Sequence, residues 1–187
     1  MRGMPERETQ MNFEKFSERA RGFVQAAQTI AMREGNQRLM PEHLLKALLD
    51  DDQGLAGNLI KAAGGDPVLV RAANEAAVNK LPKVEGGDGQ LYIDTQTGKV
   101  LAEAEKLATQ AKDSFVTVER MLTALAIVKS AANDALKSGG VTPNGLNTAI
   151  NDVRKGRTAD TASAEQGYDA LKKYARDLTE AAREGKI

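Results

Sequence analysis

The chain has 187 residues, of which 41% are apolar, 4% are aromatic and none is tryptophan, so its core must be built mainly from alanine, leucine, valine and isoleucine. Twenty-six basic residues balance twenty-six acidic ones, which disfavours nucleic acid and anionic membranes as partners. The absence of cysteine excludes disulfides, thiolate catalysis and cysteine-based zinc sites. It is compatible with a reducing cytoplasm, where we expect the protein to reside.

The first twelve residues form a polar leader that we expect to be disordered. This leader lacks the apolar middle region of a signal peptide. No other stretch approaches the ~20 consecutive apolar residues of a membrane-spanning helix. We therefore expect no membrane association.

Apolar periodicity and helix start signals predict four helices in the first half of the chain. Ser17 is a candidate N-cap for the first helix, Pro41 opens the second, and Asp66 followed by Pro67 opens the fourth. The predicted helices cover roughly residues 18–34, 41–49, 55–63 and 67–81. Residues 82–94 carry glycines and a proline without a helical stripe, and are predicted to connect two halves.

The second half repeats this plan. "GNQRLMPEHLLKAL" at 35–48 and "KDSFVTVERMLTAL" at 112–125 share a register of 77, which places Glu42 over Glu119 and His43 over Arg120. An apolar stripe from Val100 to Ala108 predicts the fifth helix, and Thr117 is a candidate cap for the sixth. Residues 131–137 are predicted to form a short seventh helix, and Pro143 opens the eighth. We predict an all-α fold in which a four-helix unit is duplicated about a pseudo-twofold axis. Repeat one covers residues 13–81, the connection 82–94 and repeat two 95–156.

Residues 157–187 are predicted to form a linker followed by one more helix. The composition after Gly156 shifts to threonine, alanine, serine and aspartate, which is typical of a linker. The helical stripe of Leu171, Tyr174 and Leu178 has no predicted surface to pack against, so we expect this region to be mobile.

No motif of an enzymatic site emerges. The chain has no Gly-x-x-x-x-Gly-Lys-Ser/Thr phosphate loop and no Gly-x-Ser-x-Gly elbow. The single histidine, His43, is interpreted as structural or solvent-facing, because no second histidine and no cysteine could share a metal with it. Glu42 and Glu119 lie in the first turns of helices, where the free N–H groups alone explain carboxylates.

Five stretches together resemble the N-terminal domain of Clp-family AAA+ proteins, most closely that of ClpB-type disaggregase chaperones. They are "PEHLLKALL" at 41–49, "NLIKAAGGDP" at 58–67, "LPKVEGGDGQ" at 81–90, "DSFVTVERML" at 113–122 and "ALKKYARDLTEAAREGKI" at 170–187. The resemblance covers essentially everything from Phe13 onward. The final stretch resembles the entry into a first ATPase module.

The resemblance implies a non-enzymatic, monomeric module tethered to a hexameric threading ring. The module itself would need no cofactor or metal, whereas the parent protein would use ATP and magnesium. It would capture unfolded or aggregated polypeptides in a groove between the repeats, and the full-length protein would work with an Hsp70-type chaperone system. By match to the family's motifs, the implied substrate-binding residues are Ser17, Val100, Leu101, Asp113, Glu119 and Met121.

Three alternatives remain open at this stage. An adaptor-docking N-domain of a ClpA- or ClpC-like protease unfoldase shares the same duplicated plan. A small hydrolase that uses the paired Glu42 and Glu119 would lose all turnover in a Glu119→Ala variant, whereas a binding module would lose only affinity. Helix-turn-helix binding to DNA is disfavoured by the zero net charge.

Overall fold

The computed structural model describes residues 13–85 and 89–165. Within these residues there are eight α-helices, and the only strands are two of two residues each, which confirms the predicted all-α class. The helices are α1 Glu18–Arg33, α2 Pro41–Leu49, α3 Leu55–Ala62, α4 Pro67–Asn79, α5 Thr95–Gln110, α6 Val118–Ile127, α7 Ala131–Ser138 and α8 Pro143–Arg154; the strands are β1 Arg38–Leu39 and β2 Tyr92–Ile93. The predicted leader and the predicted terminal helix lie outside the described residues. No helix over the described ranges has the length and apolarity to cross a membrane.

Side-chain caps explain where most of the helices begin. Ser17 Oγ accepts a hydrogen bond from the Ala20 N–H at 3.1 Å, and Asp66 Oδ1 accepts one from the Val68 N–H at 2.9 Å. Helix α5 begins at Thr95, five residues before its apolar stripe, because the Asp94 carboxylate caps its first turn. Caps therefore set helix starts more closely than periodicity does.

Short extended segments of the two repeats pair with each other in a symmetric way. Strand β1, before α2, pairs in parallel with β2, before α5, so that Leu39 lies beside Ile93. A parallel bridge joins Phe16, before α1, to Val116, before α6. Adding the register of 77 to 16 and 39 gives 93 and 116, so the same pairing is made twice with the repeats exchanged. This reciprocity is the predicted pseudo-twofold relation.

Helices α2 and α6 lie at the centre of the fold. They contact each other, and nearly every residue of both helices is buried, including the whole stretch from Val118 to Ala126. The repeats also join where α4 packs on α7 and where α3 packs on α8. Charged side chains of the central helices, such as Glu119 and Arg120, are consequently buried as well.

Glycines permit the close approach of the two repeats. A Cβ atom at Gly139 would lie 2.3 Å from Val70 Cγ2 and 3.0 Å from the Asp66 carbonyl oxygen, and one at Gly65 would lie 2.6 Å from Val141 Cγ2. The backbones of Asp66 and Gly139 share a hydrogen bond of 2.8 Å. Gly65 and Gly139 are therefore required by the contact between the repeats, whereas the neighbouring Gly64 and Gly140 take the positive φ that ends the helices.

Residues 157–165, the first part of the predicted linker, pack on the helical domain. Ala159 is 0% exposed and Glu165 is 2% exposed. The Ala159 carbonyl oxygen accepts hydrogen bonds from the N–H groups of Ser114 and Phe115. A composition typical of a linker did not prevent docking, because these contacts use mainly the backbone.

Candidate functional site

The polar residues predicted to contact substrate come together where α1 and α6 begin. Ser17 is the N-cap of α1, Asp113 follows the end of α5, and Glu119 lies in the first turn of α6. The Ser17 N–H donates to the Val116 carbonyl oxygen at 2.8 Å, which holds the two helix starts side by side. We call this cluster, with Thr117 and Arg154, the α1–α6 site.

Arg154, at the end of α8, organises the acidic residues of the site. Its Nη1 lies 2.6 Å from Asp113 Oδ1, its Nε lies 3.5 Å from Glu119 Oε1, and its Nη2 donates to Thr117 Oγ1 at 2.9 Å. Arg120 adds an ion pair of 3.2 Å to the other Asp113 oxygen. All four charged side chains are at most 7% exposed, so each depends on its partners for compensation of the lost hydration.

The chain that follows α8 crosses this site in hydrogen-bonding contact. The Ala159 N–H donates to Asp113 Oδ1 at 2.9 Å. The Ala159 carbonyl oxygen accepts from the N–H groups of Ser114 at 2.8 Å and Phe115 at 3.0 Å. Both backbone polar groups of Ala159 are thus satisfied by the segment between α5 and α6.

The same segment makes a second set of contacts further along. The Ala162 carbonyl oxygen accepts from the Glu18 N–H at 2.9 Å. The Glu165 carboxylate accepts from the Ser17 hydroxyl and, at 2.7 Å, from the Val118 N–H in the first turn of α6. Residues 159–165 therefore bridge the starts of both helices.

Burial, the largest cause, and the negative charge of Glu119 together raise the pKa of Glu165 to about 7. Hydrogen bonds from Ser17 and Val118 and the charge of Arg19 act in the opposite direction but do not offset this burial. The two arginines of the site already face two other carboxylates. A third buried carboxylate beside these pairs accordingly keeps a raised pKa.

Three of the residues implied by the resemblance do not face the site. Val100, Leu101 and Met121 are each 0% exposed and belong to the continuous apolar core. Their stripes hold α5 against α6, so they cannot also line an open groove in this conformation. The described structure places these three side chains in the core, and their contact with substrate stays a prediction.

Two shallow depressions lie where the repeats meet. One, of about 290 Å³, adjoins the α1–α6 site and is lined by Lys15, Ala102, Glu105, Lys106, Ala108, Thr109, Asp113, Ser114 and Val116. The other, of about 260 Å³, lies at the pseudo-equivalent place near Asn36, Met40 and Val84. The first is polar and the second mainly apolar, so the two copies of the seam differ in chemistry.

In repeat one, Asn36 and His43 stand at the positions of Asp113 and Arg120 in the ionic network, and both are uncharged. His43 Nδ1 accepts from the Met40 N–H at 2.9 Å, and His43 Nε2 lies 2.9 Å from Asn36 Oδ1 and donates to it. The Asn36 amide in turn donates to the Pro82 carbonyl oxygen at 3.0 Å. His43 is 0% exposed, and among the described residues no cluster of three or more His, Cys, Asp or Glu could hold a metal ion. In the described structure His43 caps the start of α2 and ties it to Asn36.

We expect acid to destabilise the domain through His43. Burial lowers the pKa of His43 from 6.5 to about 4, so the stability that neutral imidazole contributes is present above pH 6.5 and is lost as the pH falls toward 4. A His43→Gln variant should show a smaller loss of thermal stability between pH 6.5 and 4 than the unaltered chain. Thermal melts at half-unit pH intervals measure this, and equal slopes for both proteins would contradict it.

Sequence reasoning missed Arg154 and Glu165. Arg154 lies four residues after Ile150 on the inner stripe of α8. Because repeat two is one residue shorter after its second helix, the register there is 76, and repeat one has the apolar Val78 at this position. A charged residue on an apolar stripe is a signal that sequence inspection could have found. Glu165 had no such signal, because it lies in a segment without periodicity.

Residues 15–167 match the family model described as the Clp repeat (R) N-terminal domain. The chain is 60% identical over 178 residues to the chaperone protein ClpB of Brucella suis biovar 1, covering 95% of this chain and 20% of that protein. Identity to ClpB of Agrobacterium fabrum is 61% over the same share of each chain. The chain thus spans about a fifth of the length of these curated relatives.

Solved structures share the fold. The Hsp104 N-terminal domain from Candida albicans aligns with a TM-score of 0.71 at 24% identity, covering 80% of this chain and 98% of that one. The N-terminal domain of the ClpV1 ATPase from E. coli aligns with a TM-score of 0.60 at 14% identity, covering 73% and 83%. The family match covers nearly all of the described residues. The chain therefore belongs to the family of Clp repeat N-terminal domains.

Proposed function

We propose that this chain is the substrate-binding N-terminal module of an ATP-dependent, ClpB-like chaperone. The module captures misfolded or aggregated polypeptide and passes it to a hexameric ring for unfolding. It is monomeric and catalyses no reaction by itself; ATP and Mg²⁺ belong to the ring, and an Hsp70-type system works with the full-length protein in the cytoplasm. The high identity to proteins named ClpB favours this function over an adaptor-docking module of a protease unfoldase.

One observation carries the proposal: the α1–α6 site holds a stretch of polypeptide largely through backbone groups. Asp113, Ser114 and Phe115 satisfy both backbone polar groups of Ala159, and the Glu18 N–H binds the Ala162 carbonyl oxygen. Every non-proline residue offers the same N–H and C=O groups. A site that binds them accepts chains of many sequences, as capture of unfolded protein requires.

The remaining contacts would orient a bound chain without binding it tightly. Phe13 and Phe115 are only partly buried and leave some apolar surface beside the Phe16–Val116 bridge. Each hydrogen bond to the bound chain replaces hydrogen bonds to water, so it contributes only about 1 kcal/mol to the free energy of binding. The entropy lost when a flexible chain becomes ordered opposes binding. The net affinity is therefore modest, and the bound polypeptide can still be passed to the ring.

The test is an NMR titration of the 187-residue chain with carboxymethylated α-lactalbumin, which stays unfolded in buffer. The amide signals of Ser17, Asp113 and Glu119 should shift together. Glu119→Gln should weaken binding about fivefold, consistent with loss of one charge-assisted contact of ~1 kcal/mol or more. Asp134→Asn, on the exposed face of α7, is the matched control and should bind as the unaltered chain does.

Two outcomes would contradict the proposal. Signal shifts confined to residues far from the starts of α1 and α6 would show that unfolded chains bind elsewhere. Measurable ATP hydrolysis by the purified chain would show that it is more than a binding module. Thermal melts of each variant separate a change in affinity from a loss of folding.

A further inference from the structure

The α1–α6 site is already filled by the chain's own residues. We propose that residues 158–165 are an intramolecular ligand of this site, which an external polypeptide must displace before it can bind there. The inference rests on the proposed function and adds regulation to it. It also specifies the chemistry of the ligand that the site accepts.

The atoms that an external chain would use are engaged. The Ser17 hydroxyl donates to Glu165, and Asp113 Oδ1 accepts from the Ala159 N–H at 2.9 Å. The Val118 N–H, in the turn that carries Glu119, donates to Glu165 at 2.7 Å. Two chains cannot hold these groups at once, so binding in cis and binding in trans exclude each other.

The segment is attached to the domain without being part of its core. Between Thr158 and Glu165 only Ala159 and Glu165 are buried, and neither belongs to the continuous apolar cluster that the eight helices form. Detaching the segment would therefore expose little apolar surface and would leave the helix packing intact. A ligand that competes with clients has to be removable in this way.

Glu165 supplies a cap that α6 lacks. The Thr117 side chain makes no capping hydrogen bond to its own helix, because its hydroxyl accepts from Arg154 Nη2 at 2.9 Å. The first-turn N–H of Val118 is instead satisfied by the carboxylate of Glu165. An oxygen acceptor at this place satisfies one of the N–H groups that a helix start leaves without an intrahelical partner.

Residues 158–165 can detach readily from the site. Burial raises the pKa of Glu165 to about 7, so ionisation of this carboxyl opposes docking near neutral pH. The contacts that favour docking are five hydrogen bonds donated by backbone N–H groups and one donated by the hydroxyl of Ser17. The ligand class follows from the same geometry: a chain of small residues that turns at residues 161–163 and carries a carboxylate six positions after the amide that meets Asp113.

A release variant and a matched control test the proposal in the intact chain. Ala159→Arg combined with Glu165→Ala removes the carboxylate and places a long cation at a position that is 0% exposed. Thr161→Arg combined with Ser163→Ala makes equivalent changes at exposed positions of the same segment. Thermal melts should show that both variants remain folded.

Hydrogen exchange measures the docking of residues 158–165 in the absence of any unfolded polypeptide. In the release variant the amides of Glu18, Ser114, Phe115 and Val118 should exchange at least tenfold faster, and in the control they should not. Unchanged exchange in the release variant would overturn the proposal. The affinity for carboxymethylated α-lactalbumin should rise about fivefold or more on release, because the fraction of open sites increases. Faster exchange with unchanged or weaker affinity would also overturn it.

A synthetic peptide, RTADTASAE, separates this inference from the proposed function. Added to the release variant, it should restore slow exchange at Ser114 and Phe115, and RTADTASAA should do so at least fivefold less well. If the peptide binds but unfolded protein never does, the proposed function is wrong while the intramolecular ligand stands. If unfolded protein binds all variants equally and the peptide binds none, the inference fails while the function stands.

Discussion

Replacing Arg154 by methionine is expected to lower the free energy of unfolding by about 3 kcal/mol or more. Arg154 lies 2.6 Å from Asp113 and 3.5 Å from Glu119, and its side chain is 3% exposed. Methionine keeps much of the length and apolar volume but leaves two buried carboxylates without their main cation. Urea unfolding followed by circular dichroism measures the change.

The matched control is Arg71→Met. Arg71 also pairs with a carboxylate, Asp50, at 2.7 Å, but its side chain is 46% exposed. Surface ion pairs contribute less than about 1 kcal/mol, so this variant should unfold almost as the unaltered chain does. In the Arg154→Met background, adding Asp113→Asn should recover part of the loss, because the uncompensated charge is then absent. Equal effects of the two arginine variants would contradict the view that the network is buried.

Locking residues 158–165 in place is expected to abolish capture of unfolded polypeptide. The Glu18 N–H and the Ala162 carbonyl oxygen are 2.9 Å apart, so the two backbones lie close enough to support a disulfide. Because the chain has no cysteine, Glu18→Cys combined with Ala162→Cys can form only one internal bridge. The oxidised protein should bind carboxymethylated α-lactalbumin at least tenfold more weakly than the same protein after reduction.

Reduction provides the internal control for this experiment. Adding dithiothreitol should restore the affinity of the unaltered chain, and thiol titration before and after shows that the bridge has formed and opened. Glu18→Cys alone should respond to neither treatment. Equal binding by the oxidised and reduced forms would mean that clients do not need the space that residues 158–165 occupy.

The helices were largely predictable because their signals are local. Caps at Ser17 and Asp66 and the proline at residue 41 mark helix starts within a few residues of sequence, and the structure confirms each start. The pseudo-twofold arrangement was also predictable, since two copies of one amphipathic plan bury their stripes most readily against each other. The two-residue strands were not predicted, because two residues are too few to show an alternating pattern.

The candidate site was only partly predictable. An apolar stripe does not reveal whether a face packs inside the fold or stays open to a ligand, and Leu101 and Met121 proved to be core residues. Thr117 has the right side chain and position for a cap, yet its hydroxyl pairs with Arg154 instead. Each of these outcomes depends on neighbours that are distant in sequence.

Sequence alone therefore determined the class of the fold, its duplication and the positions of most helices, because hydrophobic periodicity, caps and turn residues act within a few residues of one another. Only the tertiary structure decided that residues 157–165 occupy the site between α1 and α6. A segment of small polar residues carries no local signal for docking, and its backbone groups find partners only after α5, α6 and α8 have packed. Long-range hydrogen bonds and burial then made a linker-like sequence into part of the site.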